Sequence, residues 1–278
     1  MRIRILGSAA GGGLPQWNCA CPNCMAARAG KIPQQMQSSL AISGDDERWF
    51  LINASPDLAQ QIERTPALQP RPNSPRNSPI VGVLLTNADL DHALGLLLLR
   101  QRETPLIVYA TDETRAALDW INMVLKRFCG VEWRLVSRDF DSLSKSVAFR
   151  AISLPKSIAL QFRDQSSNAS ALIAPAAGNL NDELHDAVKT SDLVLFDGTF
   201  WKDDELLAFR PGARRAREMN HLPIADGSLD FLRHSSARRK MYIHINNTNP
   251  ILMPGSFERA QVERAGIEIA RDGLEIAL

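Results

Sequence analysis

The chain has 278 residues, of which 45% are hydrophobic and 23% are charged. Its 32 lysines and arginines against 31 acidic residues lack the basic excess that nucleic-acid binding needs. The apolar run at residues 96–99 is far too short to cross a bilayer. The first seven residues alternate like a strand and resemble no signal peptide. We therefore expect a cytoplasmic protein without nucleic-acid or membrane partners.

The predicted elements form two groups of strands with helices around them. Hydrophobic patterning predicts strands at 2–6, 38–42, 49–53, 80–85 and 106–110, then a helix at 112–128 capped by Thr111. Further strands are predicted at 147–154, 158–163, 169–173, 193–196, 241–245, 266–270 and 273–277, with a helix at 181–190. This grouping predicts a layered α/β sandwich. The Pro/Ser/Asn-rich stretch 69–79 is a loop that proves no domain boundary, so we expect one domain over residues 1–278.

Three of the four cysteines are clustered. Cys19, Cys21 and Cys24 have the spacing Cys-x-Cys-x-x-Cys, and in a reducing compartment such thiols indicate a metal site before disulfides. Three thiolates can converge on one tetrahedral Zn²⁺, which then needs a fourth ligand from elsewhere in the chain. The alternative is a set of buried or incidental thiols. Cys129 stands alone after a helical stretch and is expected in the core.

A second polar cluster follows the predicted strand at 80–85. Asn87, Asp89 and Asp91 occupy alternate positions, so in extended backbone they share one face, and His92 follows directly. Polar groups at the carboxyl end of a strand lie where α/β proteins bind their ligands. The alternative is that Asp91 caps the next helix.

The segment from Thr86 to His92, Thr-Asn-Ala-Asp-Leu-Asp-His, resembles the metallo-β-lactamase superfamily motif Thr-His-x-His-x-Asp-His, with both leading histidines replaced. Within that superfamily the chain resembles the PqqB family of pyrroloquinoline quinone (PQQ) biosynthesis. The supporting stretches extend over most of the chain, at 6–19, 53–57, 195–199, 219–221 and 243–250. The resemblance implies an αββα sandwich with two mixed β-sheets flanked by helices, and a cysteine zinc knuckle at about 17–25.

The resemblance also implies roles for later residues. His244, or a neighbour in the His-Ile-Asn-Asn loop, is expected as the fourth knuckle ligand, although related hydrolases use a histidine there for the catalytic metals. Asp91 and His92 match the end of the superfamily motif, and Asp197 and His221 match positions lining the same cleft. A turn-capping role competes for Asp197. The local sequence around His221 is that of an ordinary turn.

The residues that differ from the superfamily motif affect which metal the site is expected to bind and how many ions it can hold. Asn87 and Asp89 replace two imidazoles, and as harder ligands they favour iron or manganese over zinc. The mid-chain metal histidine is missing from residues 154–157, and the bridging aspartate from residues 174–178. We therefore predict a mononuclear site with Asp89, Asp91 and His92, joined by Asn87, that holds Fe²⁺, and His221 as a general acid or base beside it.

Three functions follow in order of preference. The first is an iron-dependent hydroxylase that oxygenates the tyrosine-derived ring of the cross-linked Glu–Tyr precursor of PQQ. The second is a non-catalytic carrier of PQQ or its precursor, for which a run of arginines could bind carboxylates, although such runs are commonly solvated: Arg210, Arg214, Arg215 and Arg217. The third is a metal-dependent phosphodiesterase, against which the absent histidines count. A homodimer is left open.

Overall fold

The computed structural model describes residues 1–72 and 75–278, and within them two seven-stranded sheets pack face to face. The first six strands belong to one sheet: β1 Arg2–Gly7, β2 Ser39–Ser43, β3 Trp49–Ile52, β4 Ile80–Leu84, β5 Leu106–Ala110 and β6 Val131–Leu135. The second sheet contains β7 Asp141–Ser142, β8 Val147–Leu154, β9 Ser157–Asp164, β10 Ser170–Ala174, β11 Leu193–Asp197, β12 Arg239–Ile243 and β13 Glu268–Ile269. The last strand, β14 Glu275–Ala277, returns to the first sheet beside β1.

Both sheets are mixed. β1, β2 and β3 pair antiparallel, whereas β3, β4, β5 and β6 are parallel. In the second sheet β8, β9 and β10 pair antiparallel, and β10 to β13 are parallel. The carboxyl ends of neighbouring parallel strands lie at the same edge of a sheet. The loops after β4, β11 and β12 therefore start from shared edges, and they carry the polar clusters described below.

Helices cover the outer faces of both sheets. They are α1 Pro22–Arg28, α2 Leu58–Glu63, α3 Leu90–Ala93, α4 Asp112–Ala117, α5 Asp119–Leu125, α6 Asp182–Lys189, α7 Leu229–Arg233 and α8 Phe257–Arg264. Short 3₁₀ helices lie at Pro66–Leu68, Leu94–Leu99, Glu205–Ala208, Arg217–Met219 and Pro250–Leu252, and a π-helical turn at Ile224–Ser228. No helix in the described part of the chain is long and apolar enough to span a membrane.

The apolar core has three layers. Side chains of both sheets, such as Ile42 and Phe162, meet in the middle layer. One outer layer packs the first sheet against α2 and α5 through residues such as Leu58 and Ile121. The other packs the second sheet against α6, α7 and α8, with Leu184 among its buried side chains. This αββα arrangement confirms the predicted fold class.

Most predicted strands are present with ends shifted by one or two residues. The prediction of one helix over 112–128 is wrong, because the chain breaks at Leu118 into α4 and α5. Thr111 does cap α4, accepting a hydrogen bond from the Thr114 amide. β6 and β7 were not predicted, since they are mostly exposed edge strands without a buried apolar run. The predicted loop at 69–79 includes residues 73 and 74, which lie outside the described residues.

Candidate metal centres

The three clustered cysteines converge at the start of α1. Cys21 is the N-cap of α1 and accepts from the Cys24 amide, while Pro22 occupies the first helical turn. The three sulfur atoms lie within 4.8 Å of one another. Burial raises the pKa of the Cys21 thiol to about 11. Burial also acts on the Cys19 thiol, but hydrogen bonds from Cys21 and its neighbours outweigh it and lower the Cys19 pKa.

The donor set fits a zinc ion bound through thiolates, since three sulfurs on a short helix-capping loop can occupy three corners of a tetrahedron. His244 does not join this cluster. The polar side chain facing the sulfurs is that of Asn247, whose Nδ2 atom lies 3.1 Å from Cys19 Sγ, 3.5 Å from Cys21 Sγ and 3.3 Å from Cys24 Sγ. Asn247 belongs to the same His-Ile-Asn-Asn loop in which a fourth ligand was expected.

The second cluster begins where β4 ends. The Asn53 side chain, just after β3, accepts from the Thr86 amide at 2.9 Å and so ties the ends of β3 and β4 together. α3 then packs back on this corner, because the His92 carbonyl accepts from the Ala54 amide at 2.7 Å and the Gly95 amide donates to the Ala54 carbonyl at 2.8 Å. The result is a buried His92 held beside the end of the sheet.

Asp91, His92 and His244 form the centre of this cluster. His244 Nε2 lies 3.1 Å from Asp91 Oδ2, and His92 Nε2 lies 3.8 Å from the same oxygen. The His92 ring has an exposed side-chain fraction of 1% and that of His244 6%, whereas Asp91 is 16% exposed. The alternative role for Asp91 is not seen, because Asp89 is the N-cap residue of α3 and makes no side-chain capping bond.

Hydrogen bonds assign the ring nitrogens of both histidines. His92 Nδ1 lies 2.6 Å from Asn87 Oδ1, an acceptor, so Nδ1 carries the proton and Nε2 has a free lone pair. That Nε2 atom is buried and has no hydrogen-bond partner among the described residues. His244 Nδ1 lies 2.9 Å from Thr199 Oγ1. With Nδ1 donating to Thr199, His244 Nε2 faces the Asp91 carboxylate, and either a proton on Nε2 or a metal cation between the two atoms satisfies both.

The donor chemistry therefore fits a divalent cation bound by two imidazoles and one carboxylate. Burial lowers the pKa of His92 to about 4, which keeps the imidazole neutral at pH 7, the form that binds metals. Burial alone would raise the pKa of the Asp91 carboxyl, but His92 and His244 outweigh it and the pKa lies well below its usual range. Gly11 closes this side of the site, since a Cβ there would lie 3.3 Å from Asp91 Oδ2.

Asn87 and Asp89 lie behind His92. Asn87 Oδ1 contacts the His92 ring and also accepts from the Asp89 amide at 3.2 Å, while Asn87 Nδ2 donates to Asp89 Oδ2 at 2.6 Å. Their predicted role as metal ligands stays a prediction. In this structure their polar side-chain atoms contact each other, and Asn87 also contacts the His92 ring.

Asp197 and His221 form a dyad beside His244. His221 Nδ1 lies 2.8 Å from Asp197 Oδ2, and the Asp197 side chain also accepts from the amides of Ala177 and Thr199. The His221 ring stacks on the His244 ring at 5.4 Å between centroids and is 13% exposed. Burial lowers the pKa of His221, but the charge and hydrogen bond of Asp197 outweigh it, so the His221 pKa is raised. His221 lowers the pKa of Asp197 against the effect of burial.

Thr199 also belongs to this cluster, although the sequence did not predict it as a site residue. Its hydroxyl lies 2.6 Å from Asp197 Oδ1, 3.0 Å from His221 Nδ1 and 2.9 Å from His244 Nδ1. The Asp197 carboxylate and the His244 carbonyl at 2.9 Å can only accept, so the single hydroxyl proton is directed to these two oxygens and the Thr199 oxygen is left to accept from His244 Nδ1. The available signal was the Asp-Gly-Thr sequence directly after a buried strand.

The other segments considered in the sequence analysis lie outside both clusters. Residues 154–157 form the turn between β8 and β9 and contain no histidine. The arginine run is exposed apart from its alanines, and three of its members contact their own segment: Arg214 the Glu218 carbonyl, Arg215 Asp203 at 3.6 Å, and Arg217 the Asp226 carbonyl at 3.3 Å. Cys129 is partly buried against the outer core of the first sheet.

Known proteins share this fold. The model of the β-lactamase superfamily domain matches residues 48–245. The structure of a diphosphatase from the PhnP family has a TM-score of 0.74 at 19% identity, covering 100% of this chain and 97% of that one, which is a likeness of fold. The fold and its strand-end polar cluster thus define a protein of the β-lactamase superfamily.

Relatives with higher sequence identity show which family of this superfamily the chain belongs to. Coenzyme PQQ synthesis protein B of Cupriavidus necator is 40% identical over 304 aligned residues, covering 99% of each chain, and that of Pseudomonas paraeruginosa is 40% identical with full coverage of both. The crystal structure of Zn²⁺-bound PqqB from Methylobacterium extorquens has a TM-score of 0.91 at 36% identity and covers 100% of both chains. The chain belongs to the PqqB family.

Proposed function

We propose that this protein acts in PQQ biosynthesis as an iron-dependent hydroxylase of the tyrosine-derived ring of the cross-linked Glu–Tyr precursor. The observation that carries the proposal is the convergence of Asp91, His92 and His244, with the buried His92 Nε2 atom lacking any hydrogen-bond partner among the described residues. Two imidazoles and one carboxylate with open positions are the ligand set of non-haem Fe(II) oxygenases. The PQQ-synthesis names of the relatives support the pathway.

The residues around the centre hold these ligands in their binding form. Asn87 accepts the Nδ1 proton of His92, and Thr199 accepts that of His244, so both Nε2 atoms point inward without a proton. Such partners fix the tautomer and the ring orientation of metal-binding histidines. In this proposal Asn87 stands where the superfamily motif has a metal-binding histidine, and it positions the His92 ring instead of binding the metal.

The proposed reaction places one atom of dioxygen on the aromatic ring in place of hydrogen. The other oxygen atom leaves as water, and the balance needs two electrons from an external reductant and two protons. An Fe(II) ion at this centre supplies the activation of dioxygen. His221 moves protons at the substrate through its Nε2 atom, because Asp197 accepts the Nδ1 proton at 2.8 Å and stabilises the imidazolium.

A direct test combines binding and turnover. Protein that holds zinc at the three cysteines, with its second centre stripped of metal, is titrated anaerobically with Fe(II), and the precursor is then supplied with ¹⁸O₂ and a reductant. The expected result is one equivalent of iron at this centre and a ring product containing ¹⁸O. If the centre binds no iron when Fe(II) is supplied while zinc occupies the cysteines, the hydroxylase proposal is wrong and the carrier becomes the better account.

A further inference from the structure

We propose that a cleft between α4 and the β8–β9 turn binds an amino-acid end of the substrate, with Lys156 binding its carboxylate and Glu113 its ammonium group. The cleft has a volume of about 420 Å³. Its lining residues belong to the segments 111–117 and 153–158, which form its two walls, and Ala88 closes it from the loop after β4. The inference rests on the proposed function, because it assigns residues that hold the same cross-linked precursor.

The cleft adjoins the candidate iron centre. Ala88, which lines it, directly follows Asn87, the residue that contacts the His92 ring. On the opposite wall the Ile158 amide donates to the Thr86 carbonyl at 2.9 Å. Thr86 Oγ1 in turn lies 3.3 Å from His92 Nδ1. A molecule bound in the cleft therefore lies beside the loop that carries His92.

Lys156 has a backbone conformation that its residue type rarely adopts. The turn between β8 and β9 has two central residues, Pro155 and Lys156, and Lys156 has a φ of 55°. After a proline, a second central residue with positive φ is normally Gly or Asn. Of the six non-glycine residues with positive φ in the described part of the chain, four are Asn or Asp, and the other two are Lys156 and His244. Strained residues of this kind cluster at active sites and ligand-binding sites.

Neighbouring segments hold the turn in this conformation. The Ser157 hydroxyl donates to the Ala176 carbonyl at 2.7 Å. The Asn181 side chain donates to the Ser153 carbonyl at 2.9 Å. Together with the bond from the turn to the end of β4, these contacts fix the backbone from three sides. The lysine side chain thus starts from a defined position at the edge of the cleft.

The charged side chains that line the cleft have opposite signs and remain available to a ligand. Lys156 and Glu113 are exposed, and neither forms an ion pair with any residue that the structure describes. The Glu113 amide and the Thr111 hydroxyl hold the pKa of the Glu113 carboxyl below its usual range, so this group is ionised at pH 7. A phosphate or dicarboxylate would be repelled by Glu113. An amino-acid end, with one carboxylate and one ammonium group, presents the opposite charge to each side chain.

Calorimetric titration with the cross-linked Glu–Tyr precursor tests the assignment without turnover. The protein keeps zinc at its cysteines, and no iron is supplied. We expect Lys156→Asn to bind the precursor about tenfold more weakly than wild type at low ionic strength, and Glu113→Gln to weaken binding by a similar factor. Lys145→Asn is the matched control, since it removes the same charge from the exposed turn at the opposite end of β8.

The choice of Asn separates binding from folding. Because Asn tolerates positive φ better than Lys, we expect Lys156→Asn to unfold in urea at the same midpoint as wild type or at a higher one. A precursor whose carboxylates are converted to primary amides should bind wild type and Lys156→Asn with equal affinity. A side chain that only shaped the turn would not distinguish the carboxylate from the amide.

The outcomes separate this inference from the proposed function. Equal precursor affinity in Lys156→Asn, Lys145→Asn and wild type overturns the inference, even if iron-loaded wild type forms the ¹⁸O product. It is also overturned if wild type does not bind the precursor, or if Lys156→Asn weakens binding of the amide as much as that of the carboxylate. If the affinity loss is specific to the carboxylate but no ¹⁸O product forms, the hydroxylase proposal fails and the cleft remains the binding site for the precursor.

Discussion

His244 Nε2 lies 3.1 Å from Asp91 Oδ2, although 153 positions separate the two residues in the chain. This contact joins the loop after β4 in one sheet to the loop after β12 in the other. It converts a local Asp-His pair into a set of two imidazoles and one carboxylate. The proposed iron chemistry depends on this contact, and the predictions below test its parts.

Each metal centre is expected to lose its metal when its own ligands are replaced and to keep it when the ligands of the other centre are replaced. Asp91→Asn or His92→Gln removes a ligand of the second centre, so we expect at least a hundredfold loss of Fe(II) affinity with zinc retained. Cys21→Ala should lose the zinc. Metal analysis of anaerobically purified protein measures both, with His234→Gln as the control because that histidine is exposed and bonds to the Asp230 carbonyl. Zinc lost from the Asp91 variant would contradict two separate sites.

Replacing Asn87 tests its positioning role. Asn87→Ala removes the acceptor for His92 Nδ1, so the ring loses its fixed tautomer and orientation. We expect Fe(II) affinity to fall by about 10–100-fold while the fold is retained. Asn122→Ala is the matched control, since Asn122 lies on α5 outside this cluster and its side chain bonds to Asp119. A complete loss of iron, equal to that of His92→Gln, would instead identify Asn87 as a ligand.

The Asp197–His221 dyad is expected to affect turnover more than metal binding. Asp197→Asn removes a carboxylate oxygen that accepts from His221 Nδ1, so the imidazole loses its orientation and its stabilised charge. We expect kcat for precursor hydroxylation to fall by about 10²–10⁴-fold with iron still bound. Asp186→Asn, an exposed position on α6 that pairs with Lys189, is the control. Unchanged kcat would remove His221 from the proton-transfer steps.

Glu205 is expected to make stability depend on pH. Burial raises the pKa of this half-buried carboxyl to about 7, against hydrogen bonds from Thr248 and the Trp201 amide. The folded state thus binds more protons than the unfolded state between the unfolded pKa near 4.5 and pH 7. The stabilising contribution is complete below pH 4.5 and is lost as pH rises through 7.

The measurement is urea unfolding at pH 5 and pH 8. Relative to Glu205→Gln, wild type should lose on the order of 2 kcal/mol of unfolding free energy between these values, after allowing for solvent screening of a half-buried group. Glu263→Gln is the control, since that side chain is largely exposed and pairs with Arg259 on α8. An equal pH response of wild type and Glu205→Gln would show that this carboxyl does not titrate in the window.

Gly95 is expected to be essential for the packing of α3. A Cβ at Gly95 would lie 2.3 Å from the Ser55 carbonyl oxygen and 2.7 Å from that of Ala54, both backbone atoms. Gly95→Ala must therefore displace the corner that holds His92, and we expect a loss of about 2–3 kcal/mol in urea unfolding. Gly82→Ala is the milder comparison, because its closest contact is a Phe50 side-chain atom at 3.3 Å. Equal losses would contradict this account.

Several features followed from local sequence. Buried strands such as β11 are almost entirely apolar, and Thr111 has the side chain and position of a helix cap. The three cysteines identify their site by spacing alone, because ligands so close together converge without help from distant segments. Asp91 and His92 could be placed in a site because they directly follow a buried strand. The break at Leu118 was missed, since periodicity continues across it.

The tertiary structure alone decided which distant residues lie beside each cluster. Sequence left His244 between two roles, and the fold places His244 beside Asp91 and Asn247, three residues later, beside the cysteines. It also put Thr199 between His221 and His244. Neither is encoded in local spacing, because the meeting of strand-end loops depends on strand order and on how two sheets pack. The sequence determines which side chains can act as ligands and which of them are close neighbours in the chain. The packing of the two sheets determines which of the distant ones lie close enough to share a cation.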